Sequence, residues 1–407
     1  MKIMKRIIKS PINILLLCLT FVFAACSEDQ GPEPLEHNSN QPAVVTNITI
    51  QNLPGKAKLT YTLPTDDDLL YVVARYTLEN GTPMEAKASY YSNSLLLEGF
   101  AGGSTTEVKI YAVNNSETES KPVVVSVSPA PAPIFDIFKS LAVLPDFGGI
   151  RISANNPTKE EIGILVMQKN IQGDWVPLRN SIYTSVDEIK RSLRGFQSVD
   201  QEFAIVVRDK WLNYTDTLVT TIKPLFEQLM PKSAYVGVHL ANDAKTINNA
   251  YPVSNLFDGQ FLEYWGSYFT DRTIDVGNHL VTFDIGAKTK LSRLRLWQFS
   301  EPIGGQRMYY YLGAMKKFRI WGSNTLNDGT LNSNWTLLGE YEIKKPSGLP
   351  YGQENNDDLL AARDGADYEI ALDKPAVRYL RIECLENWIG GKFMAVSEVH
   401  VYGNPNF

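Results

Sequence analysis

Residues 69–81, which read LLYVVARYTLENG, decide the architecture of the first part of the chain. The run from Leu69 to Tyr76 is rich in β-branched and aromatic residues, a composition that favours a β-strand. Asn80-Gly81 follows this run, and both residues tolerate the positive φ angles that a tight two-residue turn requires. The stretch therefore predicts a strand that ends in a β-hairpin.

Runs of the same kind lie on both sides of this hairpin, between Val44 and Val127. They are TNITI, AKLTYTL, SLLLEGF, TEVKIYAV and PVVVSV. Turn-forming pairs such as Pro54-Gly55 and Gly102-Gly103 separate them. Strands spaced this closely, with no helical period between them, predict an antiparallel β-sandwich over residues 43–129.

The next stretch repeats the first in outline, which predicts a second sandwich over residues 130–230. Leu97–Phe100 (LEGF) recurs as Leu193–Phe196 (LRGF). The Pro-rich segment Pro129–Pro133 predicts a stiff, extended linker between the two modules. One helix is expected in the second module, over Ser185–Leu193, because Ser185 and Glu188 have the spacing of a capping box.

Tryptophan becomes frequent in the remaining residues, 231–407. Strand candidates there include LSRLRLWQF, KKFRIWGS, VRYLRIECL and VSEVHVYG, separated by long polar or aromatic loops. This pattern predicts an antiparallel barrel or jelly roll. Five of the seven tryptophans lie in this part, namely Trp265, Trp297, Trp321, Trp335 and Trp388. The first four lie on or beside strand patterns, where a tryptophan is more often part of a core than of a binding surface.

The first residues have the pattern of a secretory signal. A basic start that ends at Lys9 precedes an apolar run over Ile12–Ala25 that is too short to span a membrane comfortably. The sequence Phe-Ala-Ala-Cys that ends at Cys26 resembles the lipobox of bacterial lipoproteins, which implies a signal peptide over residues 1–25 and acylation of Cys26. The alternative is an ordinary signal peptide that is cut nearby. Residues 26–42 are expected to form a flexible tether.

Composition excludes several classes of protein. The 407 residues are 44% hydrophobic and carry a net charge of −6 without a basic stripe, which disfavours nucleic-acid binding. Only 4 His are present, and neither G-x-S-x-G nor H-E-x-x-H occurs, so no catalytic motif is predicted. After removal of the signal and acylation of Cys26, Cys384 is the one remaining free thiol, and we expect it in the core.

Two family resemblances add to this interpretation. The stretch from Leu97 to Val127 resembles the second half of a fibronectin type III domain. In the C-terminal part, six landmarks appear in the order found in the discoidin (coagulation-factor C-type) family. They are Ser254–Gly259 followed by Trp265, Phe283–Gly286, Leu291–Trp297, Phe318–Ser323 followed by Trp335, Val377–Ile382, and Glu398–Gly403. The resemblances imply an all-β chain with two tandem Ig/fibronectin-III-like sandwiches followed by a discoidin-like jelly-roll β-sandwich over residues 231–407.

Three loops of the C-terminal part carry the aromatic and polar groups that a sugar needs, namely 266–272, 300–313 and 386–393. By family position they should lie at one end of the barrel. The candidate glycan-binding residues are Tyr268, Glu301, Arg307, Tyr309, Tyr310, Asn387 and Trp388. Two alternatives remain open: the tyrosines pack under their own loop, and Trp388 either lies over its loop or faces solvent.

A calcium ion is the one metal that the resemblance suggests, and no cofactor is otherwise expected. In related carbohydrate-binding modules a D-G loop and a carboxylate near the last strand hold a structural Ca²⁺. Asp258 and Glu398 match those two positions. Gln260 and Glu263 depart from the usual D-G-D-x-x-T pattern, which argues against the metal.

The whole layout resembles the multi-domain surface lipoproteins of Bacteroidota polysaccharide-utilisation loci. Ser27-Glu28-Asp29 resembles the export signal of such lipoproteins and implies the outer face of the outer membrane. We therefore expect a non-catalytic glycan-binding lipoprotein that captures polysaccharide for a starch-utilisation-type transporter. The alternatives are an adaptor that binds an outer-membrane partner protein, and a glycoside-active enzyme with two carboxyl groups across a cleft.

Overall fold

The computed structural model of the chain describes residues 38–261, 266–274, 277–332 and 334–407. The predicted signal peptide, the lipidation site Cys26 and the landmark Trp265 lie outside these residues. Within them the predicted all-β fold class is confirmed, with fibronectin-III-like sandwich sheets. No helix in these ranges is both long enough and apolar enough to cross a membrane.

The first sandwich consists of a three-stranded and a four-stranded antiparallel sheet, ordered β1-β2-β5 and β4-β3-β6-β7. Apolar residues at alternate positions of both sheets, among them Leu59 and Val72, meet in a shared core. The predicted hairpin joins β3 and β4, but Gly81 alone of its turn pair adopts positive φ. The strands are β1 (Thr46–Leu53), β2 (Lys56–Thr62), β3 (Leu69–Thr77), β4 (Pro83–Ser89), β5 (Ser94–Glu98), β6 (Thr106–Asn114) and β7 (Val123–Val127).

The second sandwich has the sheets β13-β9-β8 and β11-β10-β14-β15, with β12 also paired to β10. A short helix, α1 (Ile134–Lys139), precedes its first strand and packs Ile134 and Ile137 into the core. The strands are β8 (Ala142–Asp146), β9 (Gly149–Asn155), β10 (Ile162–Lys169), β11 (Trp175–Pro177), β12 (Ile182–Thr184), β13 (Glu188–Arg194), β14 (Gln201–Asp209) and β15 (Leu218–Ile222).

The helix predicted over Ser185–Leu193 is wrong, because this stretch contains strand β13. Ile189 pairs with Ala154 and Leu193 with Ile150 along an unbroken antiparallel ladder. Two apolar residues four positions apart lie on one face of a helix, and they also lie on one face of a strand. The apolar spacing was therefore ambiguous, and pairing with β9 decided between the two structures.

The C-terminal sandwich is built around the 20-residue strand β19, which contributes to both of its layers. Its first half pairs with β17 and β25, and its second half pairs with β24 and β26. The chain changes layers near Gly286, whose φ of 84° favours glycine. The remaining elements are β16 (Gln228–Leu229), β17 (Val236–Val238), β18 (Tyr268–Phe269), β19 (His279–Gln298), β20 (Glu301–Ile303), β21 (Gln306–Met308), β22 (Met315–Ser323), β23 (Thr336–Glu342), α2 (Asn356–Asp364), β24 (Ala366–Glu369), β25 (Val377–Asn387) and β26 (Ala395–Asn404), with 3-10 turns at Lys232–Ala234 and Val253–Leu256.

The first two sandwiches are in direct contact. Trp211 of the second packs against the core of the first, and a Cβ atom on Gly99 would come within 3.2 Å of its ring. The Asn213 amide donates to the Gly99 carbonyl oxygen at 2.9 Å, and Asn80 donates to the Trp211 carbonyl oxygen at 3.1 Å. The Pro-rich linker is itself packed, since Ala132 is buried. These contacts restrict bending between the two modules.

The residues just before 231 contact the C-terminal sandwich. Gln228 and Leu229 pair with β26, and the side chain of Met230 is buried in the C-terminal core. Glu227 accepts hydrogen bonds from Ser292 at 2.6 Å and from Arg293 at 3.1 Å. Residues 227–230 therefore belong physically to the last module, because they complete its sheet and its core.

Candidate functional site

The candidate site lies where several loops of the C-terminal sandwich meet. Both ends of β19 reach the same end of the sandwich, because His279 pairs with Cys384 near the end of β25 and Gln298 pairs with Val396 at the start of β26. Met315 at the start of β22 pairs with Asn387 at this end as well. We call the loops 299–314, 343–355 and 388–394, together with the chain around β18, the loop end.

Four of the predicted glycan-binding residues lie in the interior, which corrects the expectation that they present themselves to a ligand. Tyr268, Tyr309, Tyr310 and Asn387 are each at most 4% exposed. The Asn387 side chain accepts from the backbone N–H of Gly391 at 2.7 Å and donates to the Phe393 carbonyl oxygen at 2.9 Å. It holds the shape of its own loop, and the tyrosines pack beneath theirs.

Trp388 is half-buried and packs against the neighbouring loop 299–314. Its ring meets the ring of Tyr310 edge to face, at 5.4 Å between centroids. The Lys316 ammonium lies 5.8 Å from the Trp388 ring centroid. The indole Nε1 is buried and has no hydrogen-bond partner among the residues that the structure describes. Trp388 is therefore held by residues outside its own loop.

Two predicted residues keep access to solvent. Glu301 and Arg307 lie on the hairpin formed by β20 and β21, where Arg307 pairs across the ladder with Pro302. Arg307 is exposed, and Glu301 is half-buried. Burial raises the pKa of the Glu301 carboxyl, and the positive charge of Arg272 opposes that rise. Both side chains can offer polar groups to a ligand at the rim of the loop end.

The sequence analysis did not single out Tyr351, which forms an aromatic pair with Tyr311 at this end. The rings of Tyr311 and Tyr351 stack with 4.7 Å between centroids and 10° between planes. Tyr351 is 44% exposed, and its hydroxyl accepts from the backbone N–H of Leu312 at 3.4 Å. We call this pair the tyrosine platform. Tyr351 lies between a proline and a glycine in a turn-rich loop, which was the one sequence signal for it.

The backbone around Tyr311 is held in an unusual conformation. Tyr310 has a φ of 39° and Leu312 a φ of 43°, both in the left-handed region that bulky residues rarely adopt. Each such residue costs about 1–2 kcal/mol, so the surrounding packing must hold it there. Strain of this kind is concentrated at ligand-binding sites, and here the two strained residues flank Tyr311.

The loop that carries Tyr351 is anchored on helix α2. Asn355 caps the helix in a capping box with Asp358. The buried Asp358 carboxylate also accepts from the Ser347 backbone at 2.9 Å and from its hydroxyl at 2.6 Å. The hydroxyl of Tyr310 donates to the Asp358 carbonyl oxygen at 3.4 Å, which ties the loop that carries Tyr311 to the same helix.

Glu354, three residues after Tyr351, is an unusual carboxyl group at this end. Burial raises its pKa from 4.5 to about 7, against the opposing charge of Lys345. Its Oε1 atom is buried without a hydrogen-bond partner among the described residues. Near neutral pH this group exists in both protonation states, so it can donate to or accept from a ligand hydroxyl.

Glu354→Gln should stabilise the protein at pH 8 and leave its stability nearly unchanged at pH 4. The folded state holds the proton more tightly, so Glu354 costs stability as pH rises from about 4.5 to about 7, and the full cost persists above pH 7. For this half-buried group we expect the substitution to raise the free energy of unfolding at pH 8 by about 1 kcal/mol, which corresponds to a rise in Tm of about 2–4 °C. Thermal melts at both pH values measure it, with exposed Glu342→Gln as the control. An equal Tm change at pH 4 and pH 8 would contradict the assignment.

The predicted calcium ligands do not form a site that fits the ion. Glu398 is buried, and its Oε1 lies 2.6 Å from the Lys232 ammonium nitrogen. Its Oε2 accepts from the Gly259 backbone at 3.1 Å. Among the described residues, no group of three or more His, Cys, Asp or Glu side chains could hold a metal. An ammonium group beside the carboxylate is the opposite of what a hard cation needs.

Comparisons with known proteins match three family models, each described as a domain of unknown function. DUF4959 covers residues 42–129, DUF5126 covers 130–233 and DUF5000 covers 257–403. No curated protein matches the chain.

Two solved structures are similar to the chain at low identity. They are a chitobiase C-terminal domain from Bacteroides fragilis, at 15% identity, and a two-domain fibronectin type III segment of chicken tenascin, at 16% identity. Each covers 44% of this chain, and this chain covers 98% and 99% of theirs. Their TM-scores of 0.30 and 0.22 are too low to carry an argument.

A third solved structure is related at the level of sequence. The SusE-like protein BT2857 is 31% identical, and the match covers 67% of this chain and 99% of that one, with a TM-score of 0.43. The relationship is established by the 31% sequence identity over nearly the whole length of that protein, and not by the superposition of the two structures. On this sequence evidence the chain belongs to the family of SusE-like proteins.

Proposed function

We propose that this chain is a non-catalytic, cell-surface lipoprotein that binds glycans for a starch-utilisation-type uptake system. Its membership of the SusE-like family supports a role in such a system. The lipobox-like sequence at Cys26 and the acidic residues after it support a lipid anchor in the outer membrane, facing outward. A transporter of the same system is the partner that this proposal implies.

The observation that carries the proposal is the tyrosine platform at the loop end. A sugar ring presents a face of C–H groups that packs on an aromatic ring, while its hydroxyls need polar partners. Tyr351 offers one ring face to solvent and rests its other face on Tyr311. Glu301 and Glu354 lie in the loops beside it and can accept hydrogen bonds from hydroxyl groups. This arrangement is typical of a recognition surface.

The discoidin resemblance of the C-terminal sandwich remains part of the proposal. The landmark residues 283–286 and 291–297 lie on β19, and 377–382 lie on β25. The jelly-roll assignment is supported by strands that alternate between two layers around one core. In this interpretation the two N-terminal sandwiches hold the loop end away from the membrane.

Tyr351→Ala should weaken glycan binding about tenfold, because a stacked ring contributes about 1.4 kcal/mol. Its Tm should change little, since Tyr351 is exposed. Affinity gel electrophoresis with starch, xylan, mannan and pectin first identifies a retarding glycan, and titration then compares variants. Tyr91→Ala is the matched control, because Tyr91 is an exposed tyrosine on the first sandwich.

Equal affinity of Tyr351→Ala and wild type would remove the tyrosine platform as the binding surface. If none of the polysaccharides retards the wild-type chain and an outer-membrane protein co-purifies with it, the adaptor function replaces the proposed one. Release of reducing sugar from a retarding glycan by the purified chain would contradict the non-catalytic assignment.

A further inference from the structure

Glu398 is a deeply buried carboxylate of the C-terminal sandwich, and two basic side chains lie next to it: Lys232, and His400, whose Nε2 atom is 3.5 Å from Oε1. Glu398 lies in the middle of β26 and is 0% exposed. Taking a carboxylate out of water is strongly unfavourable unless a positive charge compensates for it. The Lys232 ammonium, 2.6 Å from Oε1, supplies that charge. The backbone N–H of Gly259 donates to Oε2 at 3.1 Å, so both carboxylate oxygens are engaged.

The Lys232 side chain is enclosed where it meets Glu398. Its ammonium nitrogen lies 5.7 Å from the centroid of the Phe261 ring. That ring in turn packs edge to face on Trp297 and His400, at 4.8 and 5.6 Å between centroids. A Cβ atom added to Gly259 would come within 3.3 Å of the ammonium, so the turn that follows Asp258 closes over it. The ion pair is therefore shielded from solvent on several sides.

Three segments that are distant in sequence meet at this ion pair. Lys232 lies at the entry to the sandwich, Gly259 in the turn after Val253–Leu256, and Glu398 in a central strand. A structural cation bound by carboxylates joins such segments by placing a positive charge between them. Here the ammonium group of Lys232, which is part of the chain itself, supplies the positive charge between the segments. The Lys232 ammonium already compensates for the charge of the buried Glu398 carboxylate. A divalent ion would therefore have to displace this ammonium group.

We propose that the Lys232 ammonium is a built-in substitute for a structural metal, and that it makes the C-terminal sandwich independent of calcium. The ion pair fixes the turn at Asp258–Gly259 to β26 by itself. This inference does not depend on the proposed glycan binding, because its test measures the stability of the fold.

The test uses thermal melts of the full chain, followed by tryptophan fluorescence. Wild type should melt at the same temperature in 1 mM calcium and in excess chelator. Lys232→Met should lower Tm by about 10 °C, because it removes the ammonium group that compensates for the buried Glu398 carboxylate. Lys392→Met, at an exposed lysine, is the matched control and should leave Tm unchanged.

The double variant Lys232→Met with Glu398→Gln should recover a large part of the Tm that Lys232→Met loses, because no uncompensated charge remains buried. If Lys232→Met does not fold, folding of the double variant supports the proposal in the same way. A rise in wild-type Tm with calcium would overturn it. So would a Lys232→Met variant as stable as the Lys392→Met control, or a double variant no more stable than Lys232→Met.

Discussion

Arg381→Met is expected to lower the free energy of unfolding of the C-terminal sandwich by about 3–5 kcal/mol. Arg381 is 0% exposed, and its guanidinium donates to the Asp243 carboxylate and to the Gly329 carbonyl oxygen, both at 2.5 Å. The ring of Trp335 lies 5.1 Å from the guanidinium carbon. The variant leaves Asp243 buried with Thr282 and the Leu240 backbone N–H as its remaining donors. An unpaired charge in that position is costly.

Denaturation with urea, followed by tryptophan fluorescence, measures this loss. Arg378→Met is a stringent control on the same strand, because Arg378 also pairs with an aspartate, Asp284 at 2.8 Å, but its side chain is 45% exposed. Exposed ion pairs contribute at most about 1 kcal/mol, so that variant should remain close to wild type. Similar losses for the two variants would show that burial does not determine the contribution of Arg381. A double variant with Asp243→Asn should recover part of the loss.

Trp388→Ala is the second large effect, and it should lower stability and glycan affinity together. Loss of a fully buried tryptophan costs about 3–5 kcal/mol, and for half-buried Trp388 we expect about 2–3 kcal/mol. The same change removes the edge-to-face contact with Tyr310, whose strained backbone helps to place Tyr311 against Tyr351. Affinity should therefore fall through the tyrosine platform and not through loss of a direct contact.

Measuring Tm and affinity on the same preparation of Trp388→Ala separates the alternatives. Ile389→Ala is the control, because Ile389 is the exposed neighbour in the same loop and should change neither quantity. A loss of affinity without any change in Tm would restore Trp388 as a direct ligand contact. A loss of Tm with unchanged affinity would show that Trp388 does not support the tyrosine platform.

Features that depend on neighbouring residues could be predicted from the sequence. The run of β-branched residues before Asn80-Gly81 led to the strand and the hairpin that the structure contains. The apolar setting of Cys384 led to a buried thiol, and burial raises its pKa to about 12. Aromatic and polar groups in the stretches 300–313 and 386–393 identified two of the loops that meet at the loop end. Strand patterning, turns and loop composition are local properties, so they are readable without the fold.

Features that depend on which surfaces face each other required the tertiary structure. Ile189 and Leu193 have a spacing that suits both a helix and a strand, and only pairing with β9 selected the strand. Tyr310 and Tyr351 are both loop tyrosines, yet the first is buried beneath Trp388 and the second is exposed on Tyr311. The composition of a loop does not reveal which of its rings another loop covers.

The sequence by itself determined the all-β class and the succession of β-sandwiches, because alternation and turn chemistry act within a few residues. The tertiary structure alone decided that Tyr351 joins Tyr311, that Met230 packs into the last core, and that Lys232 pairs with Glu398. Each of these contacts joins residues that are far apart in sequence. Their free energies come from burial and charge compensation, which exist only when the separate segments have been brought together.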